Sequence, residues 1–415
     1  MDAELLAIGS ELTSGHTLNT NAAYLARQLA RLGFVCRRHT SVPDDAAVIG
    51  EAVTEALERV ALLIATGGLG PTFDDITMTA IARATGRPLR RHAEVEQRIR
   101  AFCRAHKRPA TSWALRQAAL PAGGEALPNP VGTAPGLWLP LGHKLLIALP
   151  GVPQEMRAIM ERSVLPRLRR HQRAPVLSRT IRTIGLVELD VQAALQRLRI
   201  PEVVQIGLYP HLRAVDVRLT IAGSPASIAA PLLDRLERAI RRVLGPAVYG
   251  VDDQTMEGVI GQALVLRHLT LAVAESCTGG LIADRLTNVP GSSRYLLAAV
   301  VAYHNRTKQE LLGVRAAELL RHGAVSVSVA RAMAQGVRAR TKADIGLAVT
   351  GIAGPTGGTR TKPVGLVYVA LADRRRADVQ RFQFQGDRLS VKYQTSQMAL
   401  ESLRRWLSSK SDRSA

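Results

Sequence analysis

The sequence predicts an α/β protein of three units: a doubly wound parallel domain, a small α+β unit and a second α/β domain. Three observations carry this. Short apolar runs alternate with amphipathic stretches over the first 170 residues, the pattern of strands crossing through helices to parallel neighbours. Charge and a proline interrupt that pattern at "RHQRAPVL", Arg170 to Leu177. The chain has 415 residues, past the size at which one core stops growing, and its 47% hydrophobic content can fill a core in each unit.

In chain order, "AELLAIG" (Ala3 to Gly9) reads as a strand. "NTNAAYLARQLARLG" (Asn19 to Gly33) reads as a helix with an Asn or Thr cap and a glycine stop, and "VALLIATGG" (Val60 to Gly68) as a buried strand. These belong to a first domain, 1–172, whose ligand should sit at the carboxyl ends of its strands. The middle unit, 173–250, has strand-like stretches at 178–186 and 214–223, a helical 189–198 and a long helix over 230–245. The third unit, 251–408, opens with a helix leading into "LTLAVAES" and closes with a strand at 364–372 and a helix reaching about Trp406. A polar tail, 409–415, is expected to be disordered.

Composition narrows the function classes. No apolar run reaches the roughly 18 to 20 residues that span a bilayer, and the start, "MDAELLAIGSEL", is acidic where a signal peptide is basic, so a soluble cytoplasmic protein is expected. Cys36, Cys103 and Cys277 are odd in number and form no CxxC pair, which points to reduced thiols rather than disulfides or zinc. The net charge of +21 comes almost wholly from scattered arginines, with seven lysines and 4% aromatics. Few stacking platforms accompany the charge, so nucleic acid is not the expected partner. The charge better suits attraction of anionic small molecules.

Three segments of the third unit carry chemistry. In "AVAESCTGG" (Ala272 to Gly280), Ser276 ends an apolar strand before a helix, where unpaired N–H groups can stabilise an oxyanion. A serine before a glycine pair is more commonly a helix cap. Cys277 should point away from its neighbour and lacks an electropositive partner. "VAYHNRTKQELLGV" runs from a strand ending at Tyr303 into a helix with Lys308; a buried lysine can serve a serine as base, and a solvated one cannot. "VTGIAGPTGGTRTKPVG" (Val349 to Gly365) offers Gly351, Gly354, Gly357 and Gly358 for an anion, or for a flexible turn.

Together "AESCTGG", "YHNRTK", "HGAVS", "TGIAGPTGG", "KPVG" and "GDR" resemble the carboxyl-terminal domain of the CinA (competence/damage-inducible protein A) family, whose stand-alone relatives are nicotinamide mononucleotide (NMN) amidohydrolases. The resemblance implies Ser276 as nucleophile, Lys308 as general base and Tyr303 as a hydroxyl that positions or relays the proton. It also implies Thr278, Gly279, Thr350, Gly351, Gly354 and Arg388 near the nucleotide, with no cofactor for the amidase.

In the first domain, "ATGGLGPTFDDIT" places Gly67, Gly68 and Gly70 after a buried strand, with Asp74 and Asp75 beyond. Glycines admit a phosphate and paired carboxylates hold a divalent cation, although the acids could also simply favour the amino end of the next helix. With "IGSELTSGHTLNTN", "LPNPVGTAPG" and "LPGVPQEM", the stretch resembles the family's molybdopterin-binding-like amino-terminal domain. That resemblance implies ADP-ribose hydrolysis with a divalent metal (Mg, Mn or Co) at Asp74, Asp75 and Glu155, and a homodimer. "SWALRQAALP" departs from the family at Ala114 and Leu115, where polar residues, commonly an asparagine, are expected. The middle unit resembles a KH-like module but lacks the GxxG loop that clamps nucleic acid, which leaves it as a spacer or dimerisation element. Two other readings stand beside the enzyme: a non-catalytic pterin- or nucleotide-binding module, and a competence or DNA-repair accessory.

Overall fold

A computed structural model describes residues 2–170 and 176–409. The boundary expected at 172/173 and residues 410–415 of the expected tail lie outside the described residues, whereas Ser409 ends a helix. The chain divides into two compact units, one of residues 1–178 with 220–231 and the other of 179–219 with 232–415.

In the amino-terminal part, β1 (Asp2–Ile8), β2 (Val35–Val42) and β3 (Leu62–Thr66) are followed by two short strands that pair with each other, β4 (Leu89–Arg91) and β5 (Ala119–Pro121). Next come β6 (Glu125–Leu127), β7 (Gly136–Leu141) and β8 (Lys144–Leu149). The main sheet runs β2-β1-β3-β8-β7-β6. Its first four strands are parallel, and the last two return antiparallel because hairpins join them. The run "LLIAT" of β3 is buried throughout, as expected of a parallel strand covered on both faces. Apolar clusters fill both faces, one around Ile49, Leu63, Ile81 and Leu146, the other around Leu25, Ile64, Ile147 and Met160. The helix read at Asn19 to Gly33 spans Thr20–Arg31, and the Asn19 side chain caps it by accepting from the Ala22 N–H at 3.0 Å.

The middle sheet has the order β10-β11-β9-β12, from β9 (Val176–Thr183), β10 (Val204–His211), β11 (Ala214–Ala222) and β12 (Val248–Val251). Strand β10 was not read from the sequence, because "VQIGLYPH" leaves most of its side chains exposed and shows no clean apolar face. Arg179 gathers Asp234, Glu237 and Asp252 around one guanidinium.

The carboxyl-terminal sheet has the order β14-β13-β15-β16-β17, from β13 (Leu271–Glu275), β14 (Leu296–Val301), β15 (Ile345–Gly351), β16 (Leu366–Ala372) and β17 (Ala377–Gln383). The first three are parallel and the last two antiparallel, a mixed α/β sheet. Its two faces bury clusters around Leu271, Val349 and Leu403, and around Ala274, Met333 and Ala348. The closing helix runs Arg388–Ser409. No helix among the described residues is long and apolar enough to cross a membrane.

Candidate active site

Register fixes where the chemistry can gather. Glu275, the last residue of β13, lies opposite Val301 of β14 and Val349 of β15. Ser276 and the pair Ala302–Tyr303 therefore follow the carboxyl ends of β13 and β14, level with Thr350–Gly351 at the end of β15, where ligands of open α/β sheets bind.

Ser276 begins a tight turn. Its N–H donates to Val349 O at 3.1 Å, and its own carbonyl accepts the Gly279 N–H at 3.1 Å. Gly279 and Gly280 take positive φ of 62° and 96°, which L side chains adopt only under strain, so the glycine pair is what lets the chain turn into the helix Leu281–Thr287. The Ser276 hydroxyl has no hydrogen-bond partner among the described residues, although the residue is only 9% exposed. It does not cap the helix. Cys277 is buried, and burial pushes its thiol up to about 12, so it stays protonated near neutrality and is a poor nucleophile.

The capping is done by Glu275. This fully buried side chain accepts from the N–H groups of Gly280 at 3.0 Å, Ile282 at 3.1 Å and Ala283 at 2.8 Å. Sequence reasoning passed over it as the polar end of a strand. The signal was there in Gly280, an N-cap without a side chain, which obliges another residue to satisfy the helix start.

Lys308 sits in the helix Asn305–Leu312 and is 1% exposed. Its Nζ donates to Ala302 O at 2.7 Å and Tyr303 O at 3.1 Å, and neither bond reaches Ser276. Desolvation lowers its pKa from the usual 10.5. A neutral amine has two N–H bonds, which the two carbonyls occupy, and a lone pair left for a proton.

Arg388 ties the surrounding segments together. It donates to the Tyr303 hydroxyl at 2.5 Å and to Gly354 O at 2.7 Å, so one guanidinium joins the chain after β14 to the glycine loop. In that loop the N–H groups of Gly354, Gly357 and Gly358 have no backbone acceptor among the described residues. Gly351 is needed for packing, since a Cβ there would lie 2.6 Å from Val367 Cγ2. Thr350 is buried and spends its hydroxyl on Ala324 O at 2.9 Å, a structural use. Lys392, four residues along the closing helix from Arg388, was missed by sequence reasoning. A Cβ on Gly279 would lie 3.7 Å from its Nζ, and it has no hydrogen bond or ion pair among the described residues.

In the amino-terminal domain, Gly67 has φ 113° and a Cβ there would lie 2.0 Å from Ile8 O, so only glycine fits. At Gly68 and Gly70 a Cβ would meet the Thr77 hydroxyl and the Asp75 carboxyl. Asp75 Oδ1 accepts the Gly70 N–H and Oδ2 the Thr72 N–H, each at 2.7 Å, and Thr72 Oγ1 bonds both Asp74 and Asp75. Arg116 closes the loop through Thr72 O at 3.0 Å and Asp75 O at 3.1 Å. Glu155 instead accepts from Asn129 Nδ2 at 2.5 Å. The expected metal set of Asp74, Asp75 and Glu155 is not gathered. Among the described residues no three His, Cys, Asp or Glu side chains stand close enough to share an ion, because Asp75 is spent on its own loop and Glu155 on another.

Comparison with known proteins covers nearly the whole chain. Residues 4–170 match the family model of a probable molybdopterin binding domain, 178–250 the damage-inducible protein CinA KH domain, and 253–407 the CinA C-terminal domain. A CinA-like protein of Salinibacter ruber is 45% identical over 413 residues, covering 98% of this chain and 100% of the relative. A CinA-like protein of Desulfotalea psychrophila is 43% identical over 410 residues, 98% and 99% of the two chains. Among solved structures, the protein CinA with unknown function from Thermoplasma acidophilum is 39% identical, with 39% of this chain and 94% of that one covered and a TM-score of 0.37.

Proposed function

The chain belongs to the CinA family, and from that premise we propose that its carboxyl-terminal domain is an amidohydrolase converting NMN to nicotinate mononucleotide and ammonia through Ser276 and Lys308. The observation that carries the reading is the joint presence, past the carboxyl ends of the neighbouring strands β13 and β14, of an unengaged serine hydroxyl and a desolvated lysine whose Nζ is held by Ala302 O and Tyr303 O.

Ser276 Oγ attacks the carboxamide carbon while its proton passes to the lone pair of Lys308, directly or across one water. The carbonyl electron pair moves onto oxygen, where backbone N–H groups following the serine receive it. Collapse breaks the C–N bond as Lys308 returns the proton to the departing nitrogen, giving ammonia and an ester on Ser276. Water, deprotonated by the same amine, cleaves the ester to nicotinate mononucleotide and free serine. Each step uses protein groups and water alone.

The substrate is anionic at its phosphate. Lys392 beside Gly279 supplies a cation with no counter-ion among the described residues, and the glycine loop supplies N–H groups with no backbone acceptor among them. Arg388, bound to Gly354 and Tyr303, holds that loop against the site.

The test is ammonia release from NMN by the purified full chain beside Ser276→Ala and Lys308→Arg. Activity in the parent and its loss in both variants supports the assignment, because arginine keeps the charge but cannot take the proton. A parent that releases no ammonia sinks it.

A further inference from the structure

A helix amino terminus beside a serine invites the reading that its free N–H groups are the oxyanion donors. Here they are not free. The helix Leu281–Thr287 starts from Gly280, which offers no capping side chain, and its early donors are taken by the buried side chain of Glu275. The Gly279 N–H turns back to Ser276 O, and the Leu281 N–H to Thr278 O at 3.4 Å. Every donor from Gly279 to Ala283 is thereby committed. Within this turn, only the N–H groups of Cys277 and Thr278, the two that follow Ser276, have no acceptor in another residue among the described residues. Thr278 is fully buried, and its hydroxyl is an orphan as well. Buried polar groups are nearly always paired, and an orphan is costly. Two adjacent residues left unsatisfied in a turn whose other donors are all satisfied mark a place built to receive an acceptor from outside.

We infer that Glu275 is a positioning residue that assigns the oxyanion donors: by occupying the helix start it fixes the turn so that Cys277 N–H and Thr278 N–H face the reacting oxygen. This rests on the amidase reading and deepens it. Glu275 is suited to the task at both of its ends. Its side chain holds the helix, while its backbone carbonyl accepts the Ala302 N–H at 2.8 Å, and Ala302 O in turn accepts from Lys308 Nζ at 2.7 Å. One residue thus sets the nucleophile's turn and, through Ala302, the strand end on which the base hangs.

Glu275→Gln is the variant of choice, because it keeps the shape but replaces one acceptor oxygen with an NH₂ that cannot accept. The expected result is a kcat lowered roughly 10- to 100-fold, of the order seen when an oxyanion donor is lost. The dissociation constant for NMN, measured in the Ser276→Ala background, should stay within about threefold, because the donors act on the transition state. Amide hydrogen exchange gives a readout that needs no activity. In the parent, Gly280, Ile282 and Ala283 should be protected and Cys277 and Thr278 should exchange faster, and the variant should lose that protection. An active parent whose Glu275→Gln form keeps its kcat overturns this inference alone, as do equal exchange rates along the turn. So does a variant in which kcat, NMN binding and the circular dichroism of the fold fall together, which is a purely structural role. A parent inactive on NMN sinks the amidase reading and this inference with it.

Discussion

The guanidinium of Arg388 and the hydroxyl of Tyr303 hold each other across 2.5 Å, although 85 residues separate them. Tyr303 is 58% exposed, so without this bond its ring would sample several rotamers, and Arg388 would keep only Gly354 O as an anchor. Tyr303→Phe should therefore act on binding. A hydrogen bond worth about 1 kcal/mol converts to a KM for NMN raised roughly fivefold, with kcat changed by less than about threefold. Steady-state kinetics checks this, and a kcat loss beyond about 30-fold at unchanged KM would instead place the hydroxyl in the proton path.

Burial of Lys308 sets the pH dependence. Desolvation lowers its pKa, so the neutral amine appears at lower pH than for a solvated lysine. The value of kcat/KM should rise with pH to a plateau, with an apparent pKa below 10.5. Stability shares the sign: between the lowered folded pKa and the higher unfolded one the unfolded chain binds more protons, so this group's contribution grows as pH rises through that window. A pH–rate profile that shows no rise anywhere from acid to alkaline pH would show that no such amine is the base.

Lys392→Met removes a cation beside the Ser276 turn that has no counter-ion among the described residues. KM for NMN should rise about tenfold or more, as for loss of a charge-assisted contact. The phosphate-free riboside should be processed as by the parent, so the two substrates separate phosphate binding from general damage. Equal effects on both would remove Lys392 from substrate recognition.

Asp75→Ala should loosen the first domain's glycine loop. Two N–H bonds at 2.7 Å are lost, a change comparable to removing a helix cap and worth about 0.5–2 kcal/mol locally. Faster amide exchange at Gly70 and Thr72, with the exchange of β3 unaltered, is the expected signature. An unchanged exchange rate at both amides would mean that the loop is held chiefly by Arg116.

Much of the fold was legible where a local rule sufficed. The uniform apolar runs of β3 and β13 marked buried parallel strands, and Gly279–Gly280 marked the turn between strand and helix. Strand β17, "ADVQRFQ", was missed because it pairs only at a sheet edge and most of its side chains stay exposed. At the site, Ser276 and Lys308 could be singled out because each departs from its surroundings in type. Glu275 was passed over: Gly280 signals that some other residue must satisfy the helix start, but which one depends on that start folding back over a strand end. Lys392 reaches Gly279 from 113 positions away, a distance along the chain that no spacing rule covers. The three carboxylates are not drawn together for a related reason: adjacency in the chain placed Asp74 and Asp75 side by side, but in the structure Asp75 accepts from its own loop and Glu155 from Asn129.

The protonated state of Cys277 has a practical meaning for labelling. A thiol held at about 12 and buried beneath the turn offers almost no thiolate to an alkylating reagent near neutral pH. On the amidase reading, a fluorophosphonate, which phosphonylates an activated hydroxyl, or a β-lactone, which acylates one, would therefore mark Ser276 without competition from its neighbour. Occupancy of the site could then be followed in a crude extract by mass tag alone, through a peptide that contains both residues and gains a single adduct.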